Sequence, residues 1–304
     1  MRILIVGFGV QGKKRKKLLK DHKVITFDKF NKLADFKNLK DIPPEMYDCV
    51  FLCIPDDQKF QLMKYFIKHK KHILVEKPLF FKNLRDFYLI QREAIKKKVL
   101  CYVAYNHQFE PHFVNLKKIL FSKKIGKIYS CRIFYGNGTA KLVKKSKWRD
   151  KGSGVLQDLA PHLLNILETW FKDNKFKFNI ISSNKFENKS LDHVVILSKS
   201  KEIRIELEMT MCMWKNHLTC DIIGRKGSIH INSLCKWGPS TLTLRKRKFP
   251  SGTPHETNKV LKMKDPTWNL EHKYFFNLIK KRKKTNFSND IRIFKEIKRM
   301  EKQI

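Results

Sequence analysis

Three groups of residues have types and spacings that can do chemistry. The first is Gly7-Phe8-Gly9-Val10-Gln11-Gly12, a G-x-G-x-x-G run placed after the apolar segment 2–6 and before an amphipathic segment, 11–20. In such a run the first glycine permits a tight turn. The second lets backbone approach a pyrophosphate, and the third lets the helix pack on the strand. A helix N-terminus adds free N–H groups and positive potential, which suit phosphate. Asp28 closes the next apolar segment, 16 residues beyond Gly12. A carboxylate there accepts hydrogen bonds from both ribose hydroxyls and repels a 2′-phosphate, so the pattern favours NAD over NADP, with Lys29 and Lys32 softening the repulsion.

The second group is Glu76-Lys77-Pro78, which follows the apolar run 73–75. Ligands of open α/β sheets bind at the carboxyl edge, so a lysine there can touch both a substrate oxygen and a nicotinamide. The third is Asp158 and His162, four apart in a predicted helix, 155–171, and so on one face. Gly152-Ser153-Gly154 precedes them as a small, flexible opening. Each group has an ordinary alternative. A glycine turn can exist without a cofactor. A lysine among 53 is most often solvated. An Asp–His pair at this spacing is most often a surface ion pair, or the histidine is a satisfied core residue.

The elements that must position these residues follow from periodicity. Residues 2–6, 24–27, 48–54, 73–75 and 99–104 read as strands, separated by helices at 11–20, 59–69 and 84–97. Segment 31–39 is a short helix or loop, and 113–121 is a helix leading to a second domain. After about residue 126 the texture changes: 129–135, 178–182, 193–198, 203–213, 218–223, 228–231 and 241–244 alternate with period two. Terminal helices are predicted at 269–281 and 291–302. The predicted fold is an α/β Rossmann domain with a parallel sheet over 1–122, then an α+β domain with a large, mostly antiparallel open sheet over 123–304. The terminal helices are free to pack back on the first domain.

Composition narrows the function classes. The 304 residues suffice for two domains, and 42% hydrophobic content with 23 Phe excludes disorder. No apolar run reaches the roughly 18 residues of a membrane span. Positive charge follows the apolar start instead of preceding it, unlike a signal peptide, so a cytoplasmic location is expected. The seven cysteines lack zinc-like spacing and read as free, reduced thiols; no metal site is expected. The net charge of +38 comes from 53 lysines and 13 arginines. Bidentate readout of bases and phosphates favours arginine, so specific nucleic-acid binding is not expected. The lysines read as dispersed solvated faces, with the runs 13–17 and 280–284 apart and no continuous basic groove.

Taken in order, these motifs resemble the glucose–fructose oxidoreductase/inositol dehydrogenase (Gfo/Idh/MocA) family over nearly the whole chain. They are the glycine run, Ile54-Pro55 after strand three, Glu76-Lys77-Pro78, Tyr105-Asn106-His107 after strand five, Trp148-Arg149, and the segment from Gly152 to His162. The resemblance implies that one face of the open sheet lines the active site and that the other, in many members, packs on a neighbouring subunit. A homo-oligomer, dimer or tetramer, is therefore expected. It implies cofactor contacts from Gly7, Phe8, Gly9, Val10, Gln11, Gly12, Asp28, Ile54, Pro55, Glu76 and Lys77. Substrate contacts are implied for Tyr105, Asn106, Trp148, Arg149, Asp158 and His162. Carried over by position, Lys77, Asp158 and His162 become the catalytic group. His162 accepts a hydroxyl proton, Lys77 hydrogen-bonds the same oxygen, and Asp158 orients substrate hydroxyls or the histidine. The Lys77–Pro78 bond is expected to be cis.

The implied function is NAD-dependent hydride transfer between a secondary alcohol of a sugar, cyclitol or nucleotide-sugar derivative and nicotinamide, with an anionic substrate compatible with the basic surface. One alternative is a non-catalytic Rossmann regulator that binds nucleic acid or a partner; non-enzymatic relatives lack the lysine or histidine that this chain keeps. Another is a reductase of an unsaturated substrate such as a bile pigment or imine, against which Asp158 and His162 argue. Two departures stand out. Lys59 occupies the place of a frequent histidine four residues after the strand-three proline, and the segment between Asp28 and Asp48 is short for the usual second helix.

Overall fold

Runs of branched and aromatic residues bounded by amphipathic helices give a parallel sheet in which both faces are covered. The computed structural model describes residues 1–146, 149–171 and 176–304. Its first sheet consists of β1 (Arg2–Val6), β2 (Lys23–Phe27), β3 (Cys49–Leu52), β4 (His72–Glu76) and β5 (Cys101–Ala104), in the order β2-β1-β3-β4-β5. All pairs are parallel, and every residue of β3 is buried. The crossovers are α1 (Val10–Leu18), α2 (Asp56–Lys68) and α3 (Leu84–Lys96). Helix α2 opens with Asp56 and Asp57 and closes with Lys68, charges that complement the helix dipole. The Asn83 side chain caps α3 by accepting from Asp86 N at 3.1 Å.

Segment 31–39 forms no helix. It returns along β2 through a bridge between Phe27 and Phe36, held by Asp35, which accepts from Thr26 N and Oγ1 at 2.8 Å each. This local carboxylate–backbone pairing outcompetes helix formation.

The helix α4 (Pro111–Phe121) precedes a second sheet, built from β6 (Ile128–Gly136), β7 (Phe178–Asn184), β8 (His193–Ser198), β9 (Arg204–Thr210), β10 (His217–Gly224), β11 (Gly227–Asn232), β12 (Ser240–Lys246) and β13 (His255–Leu261). Its order is β13-β12-β11-β10-β6-β9-β8-β7, antiparallel throughout except for β6 with β9. Alternation directs Cys131, Ile133, Ile205, Leu207, Cys220 and Ile222 into the core. The opposite face carries paired charges, including Arg132 with Glu206 and Arg245 with Glu256. Strand β13 has no apolar alternation and is almost wholly exposed, which hides it from periodicity; its pairing with β12 makes it a strand.

Between β6 and β7 lie α5 (Ala140–Lys144), α6 (Val155–Asp158) and α7 (Ala160–Trp170), and the chain ends with α8 (Thr267–Lys280) and α9 (Ser288–Glu301). The single helix expected over 155–171 is thus two, broken at Leu159 just before Pro161, which has no N–H to continue the ladder.

Two compact units result. One comprises Met1–Asn106 with Trp268–Phe294, the other His107–Thr267 with Lys295–Ile304. The division falls earlier than residue 122 because α4 buries its apolar face in the second unit: the Phe113 ring meets Trp170 at 5.2 Å, and the His112 ring bonds Ser240 O at 3.1 Å. Helix α8 packs in the first unit through Phe275, in the core with Ile5, Phe51 and Leu100. No helix among the described residues is long and apolar enough to cross a membrane.

Candidate active site

The carboxyl ends of β1, β2, β3 and β4 gather most of the residues expected to hold a cofactor. Gly7 has φ +89°, and a Cβ there would lie 2.3 Å from Cys53 O and 3.0 Å from Ile54 Cγ2, so the turn sits directly against Ile54. A Cβ on Gly12 would lie 2.1 Å from Gly7 O. These two glycines are required by the chain's own packing. Gly9 is not: a Cβ there would meet nothing within 4 Å. It forms the N-cap of α1, whose first turn holds no acidic residue, leaving N–H groups for an anion. Val10 is exposed beside it, and Phe8 is buried beneath.

Asp28 completes this cradle. Its Oδ2 accepts from Phe8 N at 2.8 Å, and Oδ1 accepts from Phe30 N and Asn31 N at 2.9 Å each. Burial works to raise its pKa, but these three N–H donors, with Lys37 nearby, hold it below the usual carboxylate range. A carboxylate has about four acceptor positions, so room remains for a ribose hydroxyl. The residues therefore fit a dinucleotide.

At the end of β4, Lys77 is half-buried and the Lys77–Pro78 peptide is cis, as expected. Two buried cations brace the turn. Arg15, fully buried, donates from Nε to the Glu76 carboxylate at 2.6 Å and from Nη2 to Glu271 at 3.0 Å, with its guanidinium 4.6 Å from the Trp268 ring. Lys59, 1% exposed, donates to Glu76 O at 2.6 Å and to Pro78 O, and pairs with Asp56 at 2.5 Å. Its three donors thus meet three acceptors, two of them the carbonyls flanking Lys77. The residue that looked like a departure is a strut under the lysine. No sequence signal distinguishes it from the other lysines; Arg15 likewise shows only as one member of a basic helix.

Tyr105 is directed elsewhere. Its hydroxyl donates to Asp290 of α9 at 3.1 Å inside the first unit, where the ring is 4% exposed. Asn106, also buried, begins a short 3-10 turn, Asn106–Phe109. Pro55 is exposed at the start of α2.

The second unit carries a histidine cluster. The His162 ring, 7% exposed, packs on His107 with centroids 3.9 Å apart. Tyr135 lies 5.5 Å from His107, and Trp237 lies 5.7 Å from Tyr135. Lys236 donates to His107 Nε2 at 2.5 Å. Burial, and then the negative charge of Asp158, push the Tyr135 hydroxyl far above its ordinary pKa, which places Asp158 in the same neighbourhood. Asp158 also pairs with Arg149 at 3.1 Å.

Asp158 and His162 do not sit in one unbroken helix, since α6 ends at Asp158 and His162 is the third residue of α7, but Leu159 between them keeps right-handed helical backbone, φ −98° and ψ −37°. Nor is the Gly152-Ser153-Gly154 segment a loose opening. Ser153 Oγ donates to Glu301 at 2.7 Å, Val155 N donates to Leu191 O at 2.7 Å, and a Cβ on Gly154 would lie 2.1 Å from that carbonyl. Trp148 lies outside the described residues. Of the cluster, Tyr135, Lys236 and Trp237 were not foreseen; Lys236 reaches His107 across 129 positions of sequence.

Residues 6–105 match the oxidoreductase family with an NAD-binding Rossmann fold, and residues 113–230 match the GFO/IDH/MocA C-terminal domain. The chain belongs to the Gfo/Idh/MocA oxidoreductase family. Within that family it is 26% identical over 195 residues to glucose-6-phosphate 3-dehydrogenase of Bacillus subtilis (strain 168), covering 62% of this chain and 53% of the relative. It is 33% identical over 86 residues to myo-inositol 2-dehydrogenase of Thermotoga maritima, covering 28% of this chain and 25% of the relative. The matches thus span about half the length of the first relative and a quarter of the second. Levoglucosan dehydrogenase in complex with NADH is 17% identical with a TM-score of 0.79, over 99% of this chain and 95% of that one, a likeness of fold.

Proposed function

We propose that this Gfo/Idh/MocA protein is an NAD-dependent dehydrogenase acting on a secondary alcohol of a sugar, cyclitol or sugar derivative, including substrates with an anionic group. The observation that carries the reading is the glycine turn: Gly7 and Gly12 are demanded by packing, whereas Gly9 is glycine beside open space where a pyrophosphate would lie. When bound, NAD supplies the hydride acceptor or donor. Gly9, the α1 N-terminus and Asp28 would hold its phosphates and ribose, with Ile54 alongside.

The chain's own residues then handle the proton and the oxygen. The family resemblance supports His162 as acceptor of the substrate hydroxyl proton and Lys77 as a hydrogen-bond donor that stabilises negative charge on oxygen as it develops. Asp158 and Arg149 orient neighbouring hydroxyls. His107 fixes the His162 ring. Similarity to glucose-6-phosphate and inositol dehydrogenases supports a polyhydroxylated substrate. The family resemblance also supports a homo-oligomer.

The test is a screen of NAD and NADP reduction with glucose 6-phosphate, glucose, myo-inositol, scyllo-inositol, levoglucosan and UDP-sugars, with calorimetry of NADH and NADPH alongside. Turnover with NAD on at least one polyol is expected, with tighter NADH binding that Asp28→Ser levels or reverses. Absence of NADH binding would overturn the reading, and a native NADPH preference would remove the Asp28 argument.

A further inference from the structure

Three loops meet at one end of the second sheet, and they concentrate charge in a way that does not match evenly dispersed lysines. They are the connection from α4 to β6, the two-residue hairpin between β10 and β11, and the loop leaving β12. Backbone bonds hold them together: Arg225 N donates to Lys127 O at 2.8 Å, Lys226 N to Ile125 O at 2.8 Å, and Arg247 N to Lys226 O at 2.9 Å. Between them the loops present Lys123, Lys124, Lys127, Arg225, Lys226, Lys246, Arg247 and Lys248, all exposed. Segments 117–129, 223–228 and 245–252 contain no Asp or Glu.

The same end exposes large apolar side chains. Phe249 is 59% exposed, Phe121 51%, Ile223 47% and Tyr129 46%. Cationic groups lie near two of these rings, Arg247 at 5.0 Å from Phe249 and Lys117 at 5.8 Å from Phe121. Scattered apolar residues on a surface are ordinary, but four among eight cations, with Glu256 at the edge paired to Arg245, make a surface with two matched properties. The patch begins where β6 begins, while Tyr135, beside His107, lies at the other end of that strand, roughly 23 Å away at the usual rise per residue.

We propose that this end of the sheet is a docking surface for an anionic phospholipid membrane. Lysine and arginine side chains engage the negative headgroup layer, while Phe121, Phe249 and Ile223 enter the headgroup–acyl boundary, a pairing that peripheral membrane binding requires. A single-stranded nucleic acid would use the rings for stacking but would have no use for Ile223. Docking here leaves the histidine cluster at the far end of the strand uncovered.

Vesicle co-sedimentation of the full chain tests this, with phosphatidylcholine vesicles alone and with 30% phosphatidylserine, at low and high salt. Lys226→Glu, Arg247→Glu and Lys248→Glu combined should lower partitioning onto the anionic vesicles by about 100-fold, given roughly fivefold per basic residue. Phe121→Ser with Phe249→Ser, which leaves charge unchanged, should lower it about tenfold. A control with the same charge reversal elsewhere, Lys141, Lys144 and Lys145 to Glu, should change it less than about threefold if position and not net charge matters. Equal loss in the control overturns the proposal, as does failure of the native chain to sediment with the anionic vesicles. Tighter binding to a 20-nucleotide poly(U) strand, lost in the same variants, would overturn it in favour of RNA. Melting temperatures confirm folding, and the serine pair decides the matter should the charge reversal prevent it.

Discussion

The His107 ring packs against His162 with centroids 3.9 Å apart and planes 36° from parallel, while Lys236 donates to Nε2 of His107. If His162 is the base, His162→Ala should slow hydride transfer by about 100-fold or more and leave NADH binding intact. His107→Phe keeps the ring contact and should cost less. Single-turnover rates beside melting temperatures separate catalysis from packing: a stable His162→Ala protein with unchanged turnover sinks this assignment.

Lys59 spans the carbonyls on both sides of Lys77. Lys59→Met removes the ammonium and leaves two carbonyls and the Asp56 carboxylate without it, at about 1–3 kcal/mol for each group that water cannot reach. Denaturant unfolding should show the loss. Among folded molecules the hydride-transfer rate should fall as well, and the same substitution made on a Lys77→Ala background should cost little further rate, because both act through one side chain. Full additivity would show that Lys59 supports the fold and nothing more.

Gly9 and Gly12 should separate binding from stability. Gly9→Ala places its Cβ in open space, so stability should change by less than about 1 kcal/mol, while NADH affinity falls about tenfold. Gly12→Ala drives a Cβ into Gly7 O and should destabilise by about 1–3 kcal/mol. Calorimetric titration and thermal melts of both variants check the contrast; equal NADH affinity in Gly9→Ala and the native chain would contradict the cradle.

Asp290 gives a pH signature. Burial raises its pKa to about 7, against the opposing effect of the Tyr105 hydroxyl. The folded state therefore binds a proton that the unfolded chain has released above its ordinary value near 3.8, and stability falls as pH rises toward 7. Asp290→Asn removes this dependence. The stability difference between native and variant should shift in the variant's favour by about 3 kcal/mol from pH 5 to pH 8, measured by denaturant unfolding. A constant difference would show that Asp290 titrates normally.

Local physics made much of this protein legible in its sequence. The G-x-G-x-x-G run between a strand and a helix, the carboxylate ending β2, and the Lys-Pro step after β4 all depend on neighbours a few positions away, so their types and spacing carry the information. Period-two alternation likewise marks strands whose two faces differ. What the sequence could not show depends on partners distant along the chain. Strand β13 is polar throughout and exists through pairing with β12. The break at Leu159 divides a run of helix-forming residues into α6 and α7. Arg15, Lys59 and Lys236 are ordinary members of a basic sequence until Glu271, Glu76 and His107, brought near by tertiary packing, give each cation a buried acceptor; burial makes those partnerships obligatory, and burial is decided by the whole fold.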